Sequence, residues 1–269
     1  MSNIIIGNPE TYERKIQLLN PEKVIIVADF DHTITAARWA SKSSFDLFWT
    51  IPRLREGFEQ ERAKLFDKYY PYEVDSTLTK DVRDMWMQRW WAEAIELHKR
   101  YKLHADDLSG IDYDRSVIRD GWRKFLWFCN DEGIPVHILS AWVRQVIEGT
   151  LHHNNMNYEN MSIIANTLIW DNDGYNSGTN PNPPIYTGNK IDHTVDATGK
   201  QVILFWDSID DASMAHPQHD ETTLRIALYN PWTKRTIEEY LTRFDLVISC
   251  STSTTDEWYL QRLMHQISK

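Results

Sequence analysis

Lys23-Val-Ile-Ile-Val-Ala-Asp29-Phe-Asp31-His-Thr33-Ile-Thr35 is an unbroken apolar run that ends in two carboxylates and two hydroxyls. A strand buried on both faces reads this way, and it delivers polar side chains to a site at its carboxyl end. Comparable runs recur at 136–140, 162–166, 202–207, 223–229 and 246–250. Helical patterns lie between several of them. Ile118, Trp122, Phe125, Leu126 and Cys129 fall at helical spacing, and Gly133 with Pro135 supplies a stop. The alternation predicts an α/β fold, doubly wound (Rossmann-like) around a mostly parallel sheet, with ligands bound at the carboxyl ends of the strands. Asn230-Pro231 reads as an N-cap followed by proline at the first helical position, opening a helix through about residue 244, and a last helix is expected from about residue 255.

The stretch from about 36 to 119 breaks the alternation. It carries helical patterns and no convincing strand: Leu54, Phe58, Leu65, Phe66 and Tyr69 mark one amphipathic helix, and Val82, Met85, Trp86, Trp90, Leu97 and Tyr101 another. It is expected to be a helical insertion. The segment 172–189, rich in Gly, Asn and Pro, reads as an irregular loop or ribbon.

Composition limits the function. Hydrophobic residues are 42% and charged residues 25% of the 269, ordinary values for a globular chain. A net charge of −10 argues against a grip on nucleic acid, which needs a cationic face. Two cysteines, Cys129 and Cys250, exclude a disulfide framework and a four-cysteine zinc site, and a reducing cytoplasm fits best. No window approaches the roughly 20 apolar residues of a membrane span, so no membrane partner is expected.

Asp29 and Asp31 stand two apart, and if the strand continued both side chains would point the same way. Two close carboxylates repel unless a cation neutralises them, and a hard cation such as Mg²⁺, which prefers oxygen ligands, suits them. None of the ten histidines completes a metal site, and His32 is expected to point away from a bound phosphate.

The segment Asp29-Phe-Asp31-His-Thr33 resembles the first motif of the haloacid-dehalogenase-type phosphatases. Ile138-Leu-Ser140-Ala141 resembles their second motif, Lys190 the third, and Asp207-Ser208 with Asp211 the fourth, all in order. The resemblance implies Asp29 as nucleophile, Asp31 as acid and base, and Ser140, the Ala141 main chain and Lys190 as phosphate ligands. It implies Mg²⁺ held by Asp29, Asp207 and the Asp31 carbonyl, with Thr33 and Asp211 in support. It also divides the chain into a phosphatase core, 1–35 and 118–269, and a helical cap, 36–117.

Lys68-Tyr-Tyr-Pro-Tyr-Glu73-Val-Asp75, Arg89-Trp90-Trp91, Gly121-Trp122-Arg-Lys-Phe125 and Asn189-Lys190-Ile-Asp192 resemble, more narrowly, the cytosolic pyrimidine 5′-nucleotidases of type III. That implies hydrolysis of nucleoside 5′-monophosphates, with the cap reading the base. Arg89, where that family tends to carry an acid, and Trp90 are the expected substrate contacts, and Trp206 and Asp210 stand where glycines are usual. The competing expectations are a phosphatase for another small metabolite, such as a sugar phosphate or phosphoamino acid, and a non-catalytic binding protein on the same scaffold.

Overall fold

The computed structural model describes residues 4–37, 40–54, 57–75, 77–209, 217–230, 235–249 and 253–269. In chain order the core elements are β1 (Ile4–Ile6), α1 (Pro9–Gln17), β2 (Val24–Ala28), α5 (Trp122–Asp131), β3 (Val136–Val143), α6 (Arg144–His153), β4 (Met161–Trp170), β5 (Asn176–Asn180), β6 (Gln201–Trp206), β7 (Thr223–Tyr229), α7 (Ile237–Leu241), β8 (Leu246–Ser249) and α8 (Ser253–Ile267). Between β2 and α5 lie α2 (Ser44–Leu47), α3 (Phe58–Val74) and α4 (Lys80–Arg100). The eight strands form one sheet in the order β1-β8-β7-β6-β2-β3-β4-β5. The six inner strands are parallel, and β1 and β5 close the edges antiparallel.

The apolar runs are continuous because both faces of the sheet are covered. Val24, Ile26 and Ala28 of β2, with Ile203 and Phe205 of β6, face a layer made by Trp122, Phe125, Leu126 and Cys129 of α5 and Tyr259, Leu260 and Leu263 of α8. Ile25 and Val27, with Val202, Leu204 and Trp206, face the opposite layer around Tyr240 and Phe244. Trp122, Phe125 and Phe205 meet edge to face at 5.0 to 5.7 Å, and burial of each such side chain stabilises the fold by about 2–3 kcal/mol. Trp206 is fully buried there; its bulk is taken up by the core.

Three expectations need correction. The helix opens at Ile237 with Thr236 as its cap, and the Asn230 amide turns instead to Asp207; 231–234 lie outside the described residues. The ribbon at 172–189 contains β5, paired with β4. Val82 and Met85, assigned to the apolar face of α4, are exposed, and the inward face is Met87, Trp90, Ile95, Leu97 and His98.

The chain leaves the core at Thr35 and returns at Ile118, which pair as an isolated antiparallel bridge. The helices between them form the cap. Tyr69 of α3 stacks on Trp90 of α4, and Tyr72 on Trp86. Leu47, Phe48, Phe58 and Leu97 pack down onto Val143, Val146 and Leu168 of the core. Among the described residues this insertion contains no strand, and no helix is long and apolar enough to cross a membrane.

Candidate active site

Strand β2 stops at Ala28. Asp29 follows in extended conformation, and the chain then turns tightly through Phe30–Ile34, with His32 at φ +62°. The turn ends the strand before Asp31, so the condition under which Asp29 and Asp31 would share one strand face is not met. Asp29 accepts from Lys190 Nζ at 3.2 Å. Asp31 faces the cap, and its carboxylate accepts from the Ser44 main chain at 2.8 Å and the Ser44 hydroxyl at 2.9 Å. Arg119 fastens the turn: its guanidinium donates to the Thr33 carbonyl at 3.1 Å, to the His32 carbonyl, and to Asp256 at 3.0 Å. Thr33 itself is buried, and its hydroxyl has no partner among the described residues.

β3 runs on to Val143, and its pairing with β4 shifts register between Leu139 and Val143. Ser140 and Ala141 therefore sit in a strand irregularity shortly ahead of α6, which begins at Arg144. The Ser140 Oγ accepts from the Trp142 amide at 3.2 Å, which leaves its proton to donate elsewhere. Buried Asn166 joins the two halves of this region. Its side chain donates to the Ala141 and Ile185 carbonyls, both at 2.8 Å, and accepts from the Ile185 amide at 2.7 Å. Ile185 leads into the turn Thr187–His193 that carries Lys190, only 3% exposed.

Asp29, Asp31, Ala141, Lys190 and Asp207 line one cavity of about 160 Å³. Burial raises the Asp29 carboxyl above its usual range, Lys190 opposes that, and the Asp207 charge adds to it. Burial likewise pushes Asp31 up to about 7, where one side chain can give and take a proton near neutrality. Asp207 accepts from the Asn230 amide at 3.2 Å. Among the described residues no three His, Cys, Asp or Glu side chains form a metal-binding group. Two buried carboxylates opposed by one lysine nevertheless suit a cation that keeps waters and a substrate oxygen in its shell. Asp211 lies outside the described residues.

The cavity continues under the cap between Phe45, Phe48, Trp90, Trp91 and Trp142, with Glu73 and His98 also in its wall. Trp142 stacks on Phe45 with centroids 4.7 Å apart. The Thr187 hydroxyl donates to Glu73 at 2.7 Å. Trp90 is where a substrate contact was expected. Arg89 is not: it is exposed, with its guanidinium over the Trp86 ring, and does not line the cavity. His32 also lines the cavity, with its Nδ1 turned to the Ala36 carbonyl at 3.2 Å. Sequence reasoning missed Ser44, Phe45, Glu73 and Trp142 as site residues. Glu73 was within reach, since it lies in the Tyr-Pro-Tyr-Glu stretch that carried the resemblance.

The model of the family described as Pyrimidine 5′-nucleotidase (UMPH-1) matches residues 34–264. The chain belongs to the pyrimidine 5′-nucleotidase family. Within this family of phosphoric monoester hydrolases it is similar to the 7-methylguanosine phosphate-specific 5′-nucleotidase of Drosophila melanogaster, 28% identical over 85% of this chain and 76% of that one. The corresponding protein of Gallus gallus is 26% identical over 95% and 93%. Among solved structures, cytosolic 5′-nucleotidase IIIB bound to cytidine superposes with a TM-score of 0.83 at 26% identity, covering 100% of this chain and 95% of that one. A substrate-bound phosphoserine phosphatase, at 15% identity and a TM-score of 0.53 over 88% of this chain and 97% of that one, shares the fold.

Proposed function

We propose that this protein hydrolyses nucleoside 5′-monophosphates through a phosphoryl group held transiently on Asp29. The observation that carries this is the convergence of Asp29, Asp31, Lys190 and Asp207 on one cavity whose far walls are aromatic. Asp29 attacks phosphorus while Asp31 protonates the departing 5′-oxygen. Asp31, now a base, takes a proton from the water that releases phosphate from Asp29. Lys190, the Ser140 hydroxyl and the Ala141 main chain offset the charge on the transferring group. Mg²⁺ would be held by the carboxylates of Asp29 and Asp207 and the Asp31 carbonyl, with Thr33 and Asp211 in supporting roles. When bound, it supplies further positive charge to the phosphoryl oxygens. The segment 36–117 acts as the cap that covers the substrate and keeps water out. A cytoplasmic location belongs to the same reading, supported by the cytosolic nucleotidases among the relatives.

For the base, N7-methylguanine is favoured by the names of the relatives and by the wall chemistry. Methylation at N7 of guanosine places a positive charge on the ring, and aromatic faces attract cations by about 0.5–2 kcal/mol each. The Glu73 carboxylate can accept from an exocyclic amine. The test is turnover with Mg²⁺ across 7-methylguanosine, guanosine and cytidine 5′-monophosphates, ribose 5-phosphate, phosphoserine and an aryl phosphate. The nucleotides should lead by about tenfold or more in kcat/KM. Nucleotides no better than aryl phosphate, or full activity in excess chelator, would sink the proposal.

A further inference from the structure

Ser44 belongs to the cap and Asp31 to the core, yet the three hydrogen bonds between them are short and fully buried. Ser44 N and Oγ both reach Asp31 Oδ1, at 2.8 and 2.9 Å, and Oγ also lies 2.9 Å from Oδ2. Ser44 is 1% and Asp31 5% exposed. The segment carrying Ser44 is held on every side. The Ser43 hydroxyl accepts from the Asp46 amide at 3.1 Å. The Phe45 ring sits between Trp142 at 4.7 Å and the Arg62 guanidinium at 4.6 Å. Leu47 and Phe48 are buried in the cap's apolar cluster.

We infer that Ser44 is the positioning residue for the proton that Asp31 gives to the leaving group. The amide donates to Oδ1 and the hydroxyl stands 2.9 Å from both carboxyl oxygens, so together they fix the orientation of the carboxyl group. As the phosphorus–oxygen bond to the 5′-oxygen breaks, the proton of the Asp31 carboxyl group moves to the departing oxygen; Asp31 becomes the carboxylate and the nucleoside leaves neutral. Without the Ser44 hydroxyl only the amide contact to Oδ1 remains, the carboxyl group turns more freely about its bond to Cβ, and the proton is no longer presented in one direction. The cap thereby takes part in the chemistry through a residue that need not touch substrate.

This inference rests on the phosphatase assignment above, and the test separates the two. The probes are cytidine 5′-monophosphate and its analogue with sulfur in place of the bridging 5′-oxygen. A thiolate leaves without protonation, so only the oxygen ester needs Asp31 as acid. The quantity is kcat/KM, which covers steps up to departure of the nucleoside and omits the later attack by water. Ser44→Ala should lower kcat/KM on the oxygen ester about 10- to 100-fold, part of the 10²–10⁴ that a placed acid contributes, and on the sulfur ester by less than about threefold. Ser44→Cys keeps the volume with a weak donor; it should show the same split and serves if the alanine variant does not fold. Equal losses on both esters, or no loss, in either variant overturn the role of Ser44 and leave the phosphatase assignment standing. A wild-type chain inactive on both esters overturns both.

Discussion

Lys190 Nζ lies 3.2 Å from Asp29 Oδ1, although 161 positions separate the two residues. Both are buried, and the turn that carries Lys190 is tied through Asn166 to the strand end that carries Ser140. The pair is therefore held by the frame of the site and not by local sequence.

Removing either charge should expose this dependence. Lys190→Met should lower kcat/KM about 10²–10³-fold, the usual loss when one buried donor to a developing anion is deleted. Asp29→Asn should lower kcat by at least about 10⁴-fold, as expected for loss of a nucleophile. Steady-state kinetics on a nucleoside monophosphate measure both, and circular dichroism should show an unchanged fold.

Arg119 joins the catalytic turn to α8, through the His32 and Thr33 carbonyls on one side and Asp256 on the other. Arg119→Met leaves Asp256 buried without this cation, a loss that costs about 3–5 kcal/mol. Urea unfolding should register it. The turn also loses two donors, so kcat should fall even at temperatures where the variant stays folded.

His98 gives the cap a dependence on pH. Burial between Phe48 and Phe58 lowers its pKa to about 4 from an ordinary 6.5. Between those values the unfolded chain binds the proton and the folded chain does not. The contribution is complete above pH 6.5 and is lost as the pH falls toward 4, amounting to about 2 kcal/mol between pH 7 and 5. Unfolding curves at the two pH values should show that loss in the wild type and a smaller one in His98→Gln.

Gly121 opens α5 at φ +86°, and a Cβ there would stand 2.7 Å from the Glu257 Cα of α8. Both the backbone conformation and the contact exclude a side chain. Gly121→Ala should destabilise the protein by about 2–3 kcal/mol, visible as a lower Tm.

What could be read from the sequence follows from what a parallel sheet does. Its strands end side by side, so the polar residues closing separate apolar runs, Asp29, Ser140 and Asp207, gather without any knowledge of loops. The run at 223–229 coincides with β7. Residues whose place depends on helix rotation were harder. Helix α4 carries aromatics on more than one side, so Val82 and Met85 read as its buried face, whereas Met87, Trp90 and His98 hold it; Arg89, expected at the substrate from the family resemblance, is exposed beside Trp86. That Asp29 and Asp31 would share one strand face depended on the strand continuing; the chain turns at His32 instead, and the turn brings both to one cavity. Ser44 and Trp142 gave no signal at all. A serine and a tryptophan become site residues only when another segment is laid against them.

The bridge between Thr35 and Ile118 brings the two ends of the cap together at one point on the rim of the sheet. The 82 intervening residues hang from the core like a bag from its drawstring. For such a closed loop, each doubling of length costs only about 0.6 kcal/mol of closure entropy. The sheet is nearly indifferent to how much chain is suspended there, so a lineage can enlarge, shrink or rebuild the part that meets the substrate while the six parallel strands and the carboxylates at their ends keep their register.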